Sequence, residues 1–285
     1  MKIDKLQTPL LCLFAGTAIQ LMNGQAPASP SVHDVGTLMV NIVYSHSGGI
    51  VRLNGIPIER FGKGDPESGD SGTLLIGNGV SNYGINGVNT LSVEAKAVGP
   101  EQGSSTEVLL YDARAASENP AGATNDPFFR KKIAGAGTIQ YSLALRNVPH
   151  HIFDDATPWN GDPNAVSTAV QALHKALVVR DMKAIAGIFR PSYDGSPDAQ
   201  RLGSFDDMIG EFEKSLKGSK VADLPMKLNV ESFYNGRLLR VTGADDRAPI
   251  RSASITLSTD GRPDELLEMG DFWCYRNGAW ILLPD

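Results

Sequence analysis

Three Asn-Gly pairs, each between two apolar stretches, constrain the fold of this chain more than any other feature. Asn54-Gly55 separates residues 50–53 from residues 56–58, and Asn235-Gly236 and Asn277-Gly278 repeat the arrangement near the carboxyl end. Asn and Gly both tolerate the positive φ angles of a type I′ turn, which joins two antiparallel strands. The sequence therefore predicts one hairpin early in the chain and two late in it.

The amino-terminal half has the pattern of a β-rich domain. Strands are predicted at residues 38–43, 73–76, 88–93, 107–111 and 138–145. Short strands separated by turn-forming residues are typical of a β-sandwich. Residues 87–93 read Gly-Val-Asn-Thr-Leu-Ser-Val, and this pattern resembles a segment of β-sandwich accessory domains. We therefore predict a β-sandwich-like domain over residues 35–148.

Two segments of this half are predicted to be irregular. Residues 62–72 are rich in Gly, Asp and Ser, and residues 113–132 contain Pro, Gly, Asn and Asp. Long loops of this kind are often functional. The basic run Arg130-Lys131-Lys132 ends the second segment, and we expect it to be a solvated loop.

The periodicity then changes from two to 3.6, which indicates helices. Asp162-Pro163 begins a helix that runs to residue 180, because Asp caps helices and Pro favours their first position. A second, short helix is predicted over residues 182–189 and ends before Pro191. A third begins at Ser204, which forms a capping-box pattern with Asp207.

After Pro225 the period returns to two. Strands are predicted at residues 226–234, 237–241, 250–257, 266–276 and 279–283. The fold class is therefore α+β, with an all-β amino-terminal domain and a carboxyl-terminal domain of three helices followed by an antiparallel sheet. The second domain is predicted to span residues 160–285.

The order of these elements, together with residues 172–185 and 271–282, resembles the NTF2-like superfamily, in which helices pack into a strongly curved sheet. The second segment has a long strand, a tight turn and a last strand that contains Trp280. Residues 190–195 read as a loop, where that superfamily has a short strand. The resemblance implies a cone whose interior can hold a ligand.

In the enzymes of that superfamily, a carboxylate or His in the cone acts as general base, and a Tyr or an acid holds the oxyanion. The resemblance places the following candidate ligand-binding residues at the cone of this chain: His174, Tyr193, Asp194, Tyr234, Asp271, Trp273 and Tyr275. Asp271, Trp273 and Tyr275 have the same parity in one predicted strand and share a face. That face either lines a pocket or closes the core, and we favour core packing.

Residues 1–28 have the features of a secretory signal peptide. Lys2 and Lys5 precede a mostly apolar stretch at residues 10–22, and Ala26-Pro27-Ala28 matches a cleavage site. We expect cleavage near Ala28 and a periplasmic or secreted protein. The stretch is too short for a comfortable membrane span, and no other run approaches the required length. Cys274 is then the single cysteine of the mature chain, and we expect a buried thiol.

Charge and motifs restrict the chemistry. The formal net charge of −6 disfavours nucleic-acid binding, which needs basic residues. Gly69-Asp70-Ser71-Gly72 matches a protease signature, but too few residues precede it to build the fold of such a protease. His150-His151 and Asp154-Asp155 lack the spacing of a zinc site. We predict no catalytic residue, no metal and no cofactor.

Three functional hypotheses remain. The first is a non-catalytic interaction protein of a bacterial envelope, which neutralises a toxin or assists an envelope complex through a protein partner. The second is an NTF2-like enzyme, such as an isomerase or dehydratase. The third is a carrier that holds a small apolar ligand in the cone. We favour the first hypothesis, because no acid–base pair stands out in the sequence.

Overall fold

The computed structural model describes residues 32–62, 70–76, 78–98, 103–112, 126–196, 203–217, 219–252 and 268–283. Within these residues the chain is a mixed α+β protein in which strands predominate and four α-helices occur. The predicted signal peptide lies outside the described residues, as do most of the predicted loop 62–72 and the predicted strand beyond Ser252.

Two sheets form the amino-terminal half. The first contains β1 (Val32–Asp34), β3 (Ser47–Leu53), β4 (Ile56–Phe61), β6 (Gly87–Ala97) and β9 (Gly137–Arg146), in the order β1-β9-β6-β3-β4. The second contains β2 (Leu38–Ser45), β5 (Ser71–Ile76), β7 (Ser105–Asp112) and β8 (Phe129–Ala134), in the order β5-β2-β7-β8. Neighbouring strands are antiparallel except β1 and β9, which are parallel. Buried apolar residues from both sheets belong to one core.

The early hairpin is confirmed. Leu53 pairs with Ile56 across the turn, and Asn54 and Gly55 adopt φ angles of 52° and 86°. These are the positive angles that a type I′ turn requires.

The prediction that residues 113–132 are irregular is wrong for the last part of the segment. The basic run Arg130-Lys131-Lys132 lies in the edge strand β8. Phe129 and Ile133 flank the three basic residues and pack against the core, which anchors the strand. Arg130 Nε also lies 2.5 Å from Glu107 Oε1 of β7. Charged residues are common on edge strands, where they hinder pairing with another chain. Two further elements, β1 and the short helix α1 (Asn78–Tyr83), lie where none was predicted.

Three longer helices follow. They are α2 (Pro163–Val179), α3 (Met182–Gly195) and α4 (Phe205–Leu216). The predicted caps of α2 and α4 are confirmed: the Asp162 carboxylate accepts from Asn164 N at 2.9 Å, and the Ser204 hydroxyl accepts from Asp207 N at 3.1 Å.

The predicted end of the second helix is wrong, since α3 continues through Pro191. Proline in a helix interior costs about 3 kcal/mol. Contacts of the last turn oppose this cost. Arg190 Nε pairs with the Asp194 carboxylate at 2.9 Å, and the Arg190 guanidinium carbon lies 4.8 Å from the centre of the Phe205 ring. The Tyr193 ring meets the same Phe205 ring edge-on at 5.2 Å. Residues 190–195 are therefore helix and not a loop.

The carboxyl-terminal sheet contains β10 (Asn229–Phe233), β11 (Leu238–Thr242), β14 (Phe272–Arg276) and β15 (Ala279–Leu282), in the order β10-β11-β14-β15 and antiparallel throughout. Both late hairpins are confirmed. The second turns at Asn277-Gly278 as predicted, whereas the first closes between Phe233 and Leu238 over a longer turn that contains Asn235-Gly236. The predicted strand 266–276 is instead divided at Gly270, whose φ is 87°. Its first part, β13 (Glu268–Met269), pairs separately with β12 (Ile250–Arg251).

The carboxyl-terminal sheet is buried on both faces along β11 and the first part of β14. Alternate residues Leu239, Val241, Trp273 and Leu282 join the apolar cluster of the helices. Their neighbours Leu238, Phe272, Cys274, Ile281 and Leu283 join the core of the amino-terminal sheets. The molecule therefore has the helices as one layer, this sheet as a middle layer, and the amino-terminal sheets beyond it.

Candidate functional site

The predicted residues on the helices hold neighbouring segments in place. His174 Nε2 of α2 lies 2.8 Å from the carbonyl oxygen of Ala222, which ties the segment before β10 to the helix. The Tyr193 hydroxyl donates to the carbonyl oxygen of Gly203, next to the cap of α4. Asp194 is exposed and paired with Arg190. The structure does not bring these three residues to one point.

Tyr234 lies on the opposite side of the sheet, at the junction with the amino-terminal half. Its hydroxyl donates to the carbonyl oxygen of Tyr83 and accepts from Asn54 Nδ2 at 3.3 Å. Its ring stacks on Phe153, with ring centres 5.2 Å apart. Burial raises the pKa of this phenol above its ordinary value, so the group stays protonated and acts as a donor.

The three residues predicted on one strand face all follow the break at Gly270, and the structure gives each of them a different environment. Trp273 is 1% exposed among the helices, and its Nε1 donates to Gly270 O at 2.6 Å. Tyr275 lies against Trp280, with ring centres 5.1 Å apart. Asp271 precedes β14, and its carboxylate lies 3.8 Å from Nε of the buried Arg240. Trp273 thus packs in the core, as favoured from the sequence.

An apolar pocket of about 260 Å³ lies beside this core, among residues of α3, α4, β13 and the end of β15. We call it the apolar pocket; it is lined by Phe189, Ser192, Tyr193, Ser196, Met208, Glu268, Met269, Gly270, Leu282 and Leu283. Tyr193 is the one predicted site residue among them. Met208 is 37% exposed, which leaves that side open to solvent.

Two departures from the sequence prediction build this pocket. The continuation of α3 past Pro191 brings Ser192 and Tyr193 to one wall. The break at Gly270 turns Glu268 and Met269 out of line with β14 and makes them the opposite wall. Leu282 pairs with Trp273 in the sheet, and Trp273 donates to the pocket-lining Gly270. Trp273 therefore contacts Leu282 and Gly270, two residues that line the apolar pocket.

Sequence reasoning missed most of these lining residues. Phe205, Met208, Ile209 and Phe212 recur at helical spacing after Ser204, which puts Met208 on an apolar helix face but indicates no partner for it. Phe189 is the last residue of the predicted second helix. Ser192 lies on the part of α3 that passes Pro191, and Ser196 is the extended residue that ends the helix, so neither could be assigned to a pocket from the predicted helix 182–189.

A smaller cavity of about 90 Å³ adjoins the first and shares Ser196 and Leu283 with it. We call it the polar pocket; α1 and residues 149–153 contribute Ser81, Asn82, Tyr83, Pro149, His150, His151, Ile152 and Phe153. His151 Nε2 lies 2.8 Å from Gly84 O, which fixes the segment against the end of α1. His150 is the exposed member of the pair, and its ring nitrogens face Asp154 at 3.4 Å and Asp155 at 3.1 Å.

The part of the chain that the structure describes shows neither a metal-binding cluster nor a reactive thiol. No group of three or more His, Cys, Asp or Glu side chains there is arranged to hold a metal ion. Cys274 is buried, and burial raises the pKa of its thiol to about 12. A neutral thiol is a poor nucleophile. Among the described helices, none combines the length and apolar character that a membrane crossing requires.

No protein-family model, curated protein or solved structure matches this chain. The likeness to the NTF2-like superfamily therefore stays a prediction from the sequence. Any function must be argued from the geometry of the pockets and surfaces themselves.

Proposed function

We propose that this chain is an exported protein of a bacterial envelope, periplasmic or secreted, that binds an apolar ligand without transforming it. The observation that carries the proposal is the apolar pocket, half of whose lining residues are Phe, Met or Leu. Pockets with apolar walls and few polar groups are the usual sites of small-molecule binding. Among the hypotheses drawn from the sequence, this supports the carrier.

The two groups that could catalyse in this pocket are held by other partners. Glu268 Oε2 pairs with Arg247 Nη2 at 2.5 Å, and Glu268 Oε1 accepts from Ala248 N at 3.2 Å. The Tyr193 hydroxyl donates to Gly203 O. A general base needs a lone pair directed at the substrate. These contacts support a binding site over the isomerase or dehydratase alternative.

We also propose the finer architecture, a β-sandwich-like module over residues 35–148 and an NTF2-like module over residues 160–285. Support for the first comes from the two sheets that share one core. Support for the second comes from α2, α3 and α4, which pack on one face of an antiparallel sheet. In this arrangement the ligand lies at the edge of the second module.

The ligand proposal is tested with an apolar fluorescent probe, N-phenyl-1-naphthylamine. We expect the wild-type protein to bind it saturably. Met208→Trp fills the mouth of the pocket and is expected to weaken binding more than about tenfold. Met226→Trp is the matched control, because Met226 is fully exposed and does not line the pocket. No saturable binding by the wild type, or equal loss in both variants, would contradict the proposal.

A protein partner is the second candidate, and the edge strand β5 favours it. This strand has six residues without a charge or a proline, and Leu75 is 57% exposed. By contrast, β4 carries Pro57 and β8 carries the basic run. Proline and charge protect sheet edges from pairing, and an edge without them can accept an added strand. The partner would supply an extended, uncharged segment.

The partner proposal is tested by affinity capture from periplasmic extract with matched variants. Leu75→Lys places a charge on the β5 edge and is expected to abolish capture of the partner. Val178→Lys is the control, because Val178 is 53% exposed on α2. Capture that is unaffected by Leu75→Lys would remove β5 as the docking edge.

A further inference from the structure

The second edge of β5 pairs with no other described strand, because β5 is the last strand of its sheet and pairs with β2 alone. The backbone N–H and C=O groups on that side form a row that an added strand can use. The side chains alternate between the two faces of the sheet: Ser71, Thr73 and Leu75 are exposed on the outer face, and Gly72, Leu74 and Ile76 face the core. Leu74 packs against that core and remains half-buried at its margin. An added strand therefore meets an apolar residue on each face, Leu75 outside and Leu74 inside.

The strand β5 is itself a segment of the kind that this edge accepts. It is extended, it carries no charge and no proline, and every copy of the chain presents it. In an antiparallel pair, residues directly opposite each other have their side chains on the same face. Two copies of β5 that pair about a twofold axis can meet this condition only if a residue, and not a peptide bond, lies on the axis.

Two registers meet this condition and leave one residue of β5 unpaired. A register centred on Thr73 places Leu74 opposite Gly72 and Leu75 opposite Ser71. A register centred on Leu74 places Leu74 opposite its own copy and Leu75 opposite Thr73. Leu–Leu and Leu–Thr pairs bury more apolar area than Leu–Gly and Leu–Ser pairs, and such cross-strand contacts stabilise a sheet. The register centred on Leu74 is therefore favoured.

The charges around this edge allow two copies to meet. The net charge of −6 opposes self-association in general, so the contact must be locally neutral. Beside β5 on the outer face, β2 contributes Asn41 and Val43, which carry no charge. On the next strand, β7, the Glu107 carboxylate lies 2.5 Å from Arg130 Nε and is neutralised by it. Asp70 precedes β5, and in an antiparallel pair it and its copy lie at opposite ends of the contact.

We propose that β5 pairs antiparallel with β5 of a second copy of this chain, with Leu74 on the twofold axis. The four-stranded sheets of the two copies then form one continuous sheet, and the dimer closes because both copies use the same edge. The inference rests on the proposed docking of a protein partner at β5, and it names that partner. A strand pair of this length buries less than the ~1,200 Å² of a standard interface, so we expect a weak dimer, with a dissociation constant on the order of 10 µM.

Sedimentation velocity of the mature protein tests the dimer over concentrations from about 1 to 300 µM, which bracket the expected dissociation constant. We expect the wild type to pass from monomer to dimer over this range. Leu75→Lys and Thr73→Glu each place a charge opposite an uncharged residue of the second copy, and each is expected to weaken the dimer more than about tenfold. Val178→Lys is the control and should leave the dimer unchanged, because Val178 is 53% exposed, close to the 57% of Leu75, and lies on α2. Circular dichroism checks that each variant is folded.

The double variant Thr73→Glu/Leu75→Lys tests the register. With Leu74 on the axis, each introduced carboxylate lies opposite an introduced ammonium group of the second copy. Opposite charges in directly opposed positions attract, so the double variant should dimerise about tenfold more tightly than either single variant. In the register centred on Thr73, the two introduced carboxylates would face each other, and the double variant would dimerise no better than Thr73→Glu.

Three results would each overturn the inference: a wild type that stays monomeric, a dimer that Leu75→Lys leaves intact, and a double variant no tighter than the single variants. The partner proposal has a separate readout in the capture experiment. If the wild type is monomeric and Leu75→Lys still abolishes capture of a different protein, the inference fails and the partner proposal stands. If Leu75→Lys changes neither dimerisation nor capture, both are overturned.

Discussion

Tyr234 connects the two halves of the chain through both its ring and its hydroxyl. The hydroxyl bridges Tyr83 O and Asn54 Nδ2, which belong to the amino-terminal half, and the ring stacks on Phe153. Asn54 in turn occupies the predicted type I′ turn, and its Oδ1 accepts from Thr90 N. Asn54 thus has two roles. It forms the type I′ turn, which the sequence pattern predicted, and it contacts Tyr234, which the pattern did not indicate.

We predict that Tyr234→Phe lowers the free energy of unfolding by about 1–2 kcal/mol, because two half-buried hydrogen bonds lose their common partner. Urea denaturation measures the change. Tyr193→Phe is the control, since its hydroxyl donates to one exposed carbonyl, and a smaller loss is expected there. Equal losses in both variants would show that the bridge adds no specific stability.

The stability that Tyr234 contributes depends on pH. Burial raises the pKa of Tyr234 from its ordinary value of 10.0, so the folded state favours the protonated phenol. The contribution of Tyr234 to the free energy of unfolding is complete below pH 10. It is lost as the pH rises from the pKa of the unfolded state to the higher pKa of the folded state. The stability gap between the wild type and Tyr234→Phe should therefore narrow above that pH.

At the scale of elements, the sequence was most informative where the signal is local. The three hairpins and the Asp162 and Ser204 caps depend on residues close in sequence, and all of them are confirmed. The helix through Pro191 and the strand break at Gly270 depend on contacts with distant residues, such as Phe205 for α3 and Ile250 for β13. Since these two departures form the apolar pocket, its lining could not be predicted from local patterns.

The ion cluster around Arg240 is another tertiary feature that the sequence did not indicate. The Arg240 side chain is 5% exposed, and its Nη1 lies 2.6 Å from Asp246 Oδ1 and 3.5 Å from Glu231 Oε2. Asp246 Oδ2 also lies 2.5 Å from Arg60 Nη2 of β4. A single carboxylate on the loop after β11 therefore joins the middle sheet to the amino-terminal half.

We predict that Asp246→Asn lowers the free energy of unfolding by about 2 kcal/mol, because the buried Arg240 loses its nearest charged acceptor. Asp194→Asn is the control: it breaks an exposed pair with Arg190 and should cost less than about 0.5 kcal/mol. Thermal or urea unfolding measures both. Equal costs would indicate that burial of Arg240 does not strengthen the pair.

The stability that Asp246 contributes also depends on pH. Burial alone would raise the pKa of Asp246, but hydrogen bonds and charges from Arg60 and Arg240 outweigh it and hold the pKa below 3.8. A carboxylate with a lowered pKa stabilises the fold above its unfolded value, and that contribution is lost as the pH falls through the folded value. The difference in the free energy of unfolding between the wild type and Asp246→Asn should therefore begin to decrease below pH 3.8.

For the whole molecule, the decisive feature is the sheet that is buried on both faces. Phe272, Trp273 and Cys274 are consecutive and all buried, so each face of β14 meets a different apolar cluster. Consecutive apolar residues in a strand indicate burial on both faces. The sequence therefore carried this signal, although the predicted cone assigned one face to the helices and left the other without a partner.

A shared core means that the two halves should unfold together. All three tryptophans, Trp159, Trp273 and Trp280, lie in the carboxyl-terminal half, so tryptophan fluorescence reports on that half. Leu53 is fully buried in the amino-terminal sheets. Leu53→Ala should cost about 2–5 kcal/mol and should shift the urea transition seen by tryptophan fluorescence as far as that seen by circular dichroism. The substitution is far in sequence from each reporter, so a shift in fluorescence requires coupling through the middle sheet.

Leu75→Ala is the matched control for Leu53→Ala. It is the same substitution in the same half, but Leu75 is 57% exposed on β5, so neither transition should move by more than about 0.5 kcal/mol. If Leu53→Ala moved the transition in circular dichroism and left the fluorescence transition in place, the halves would unfold independently. In that case the apolar contacts between Phe272, Ile281 and the amino-terminal core would be too weak to couple them. Coincident shifts would instead mean that a ligand bound in the apolar pocket stabilises the entire chain and not one half alone.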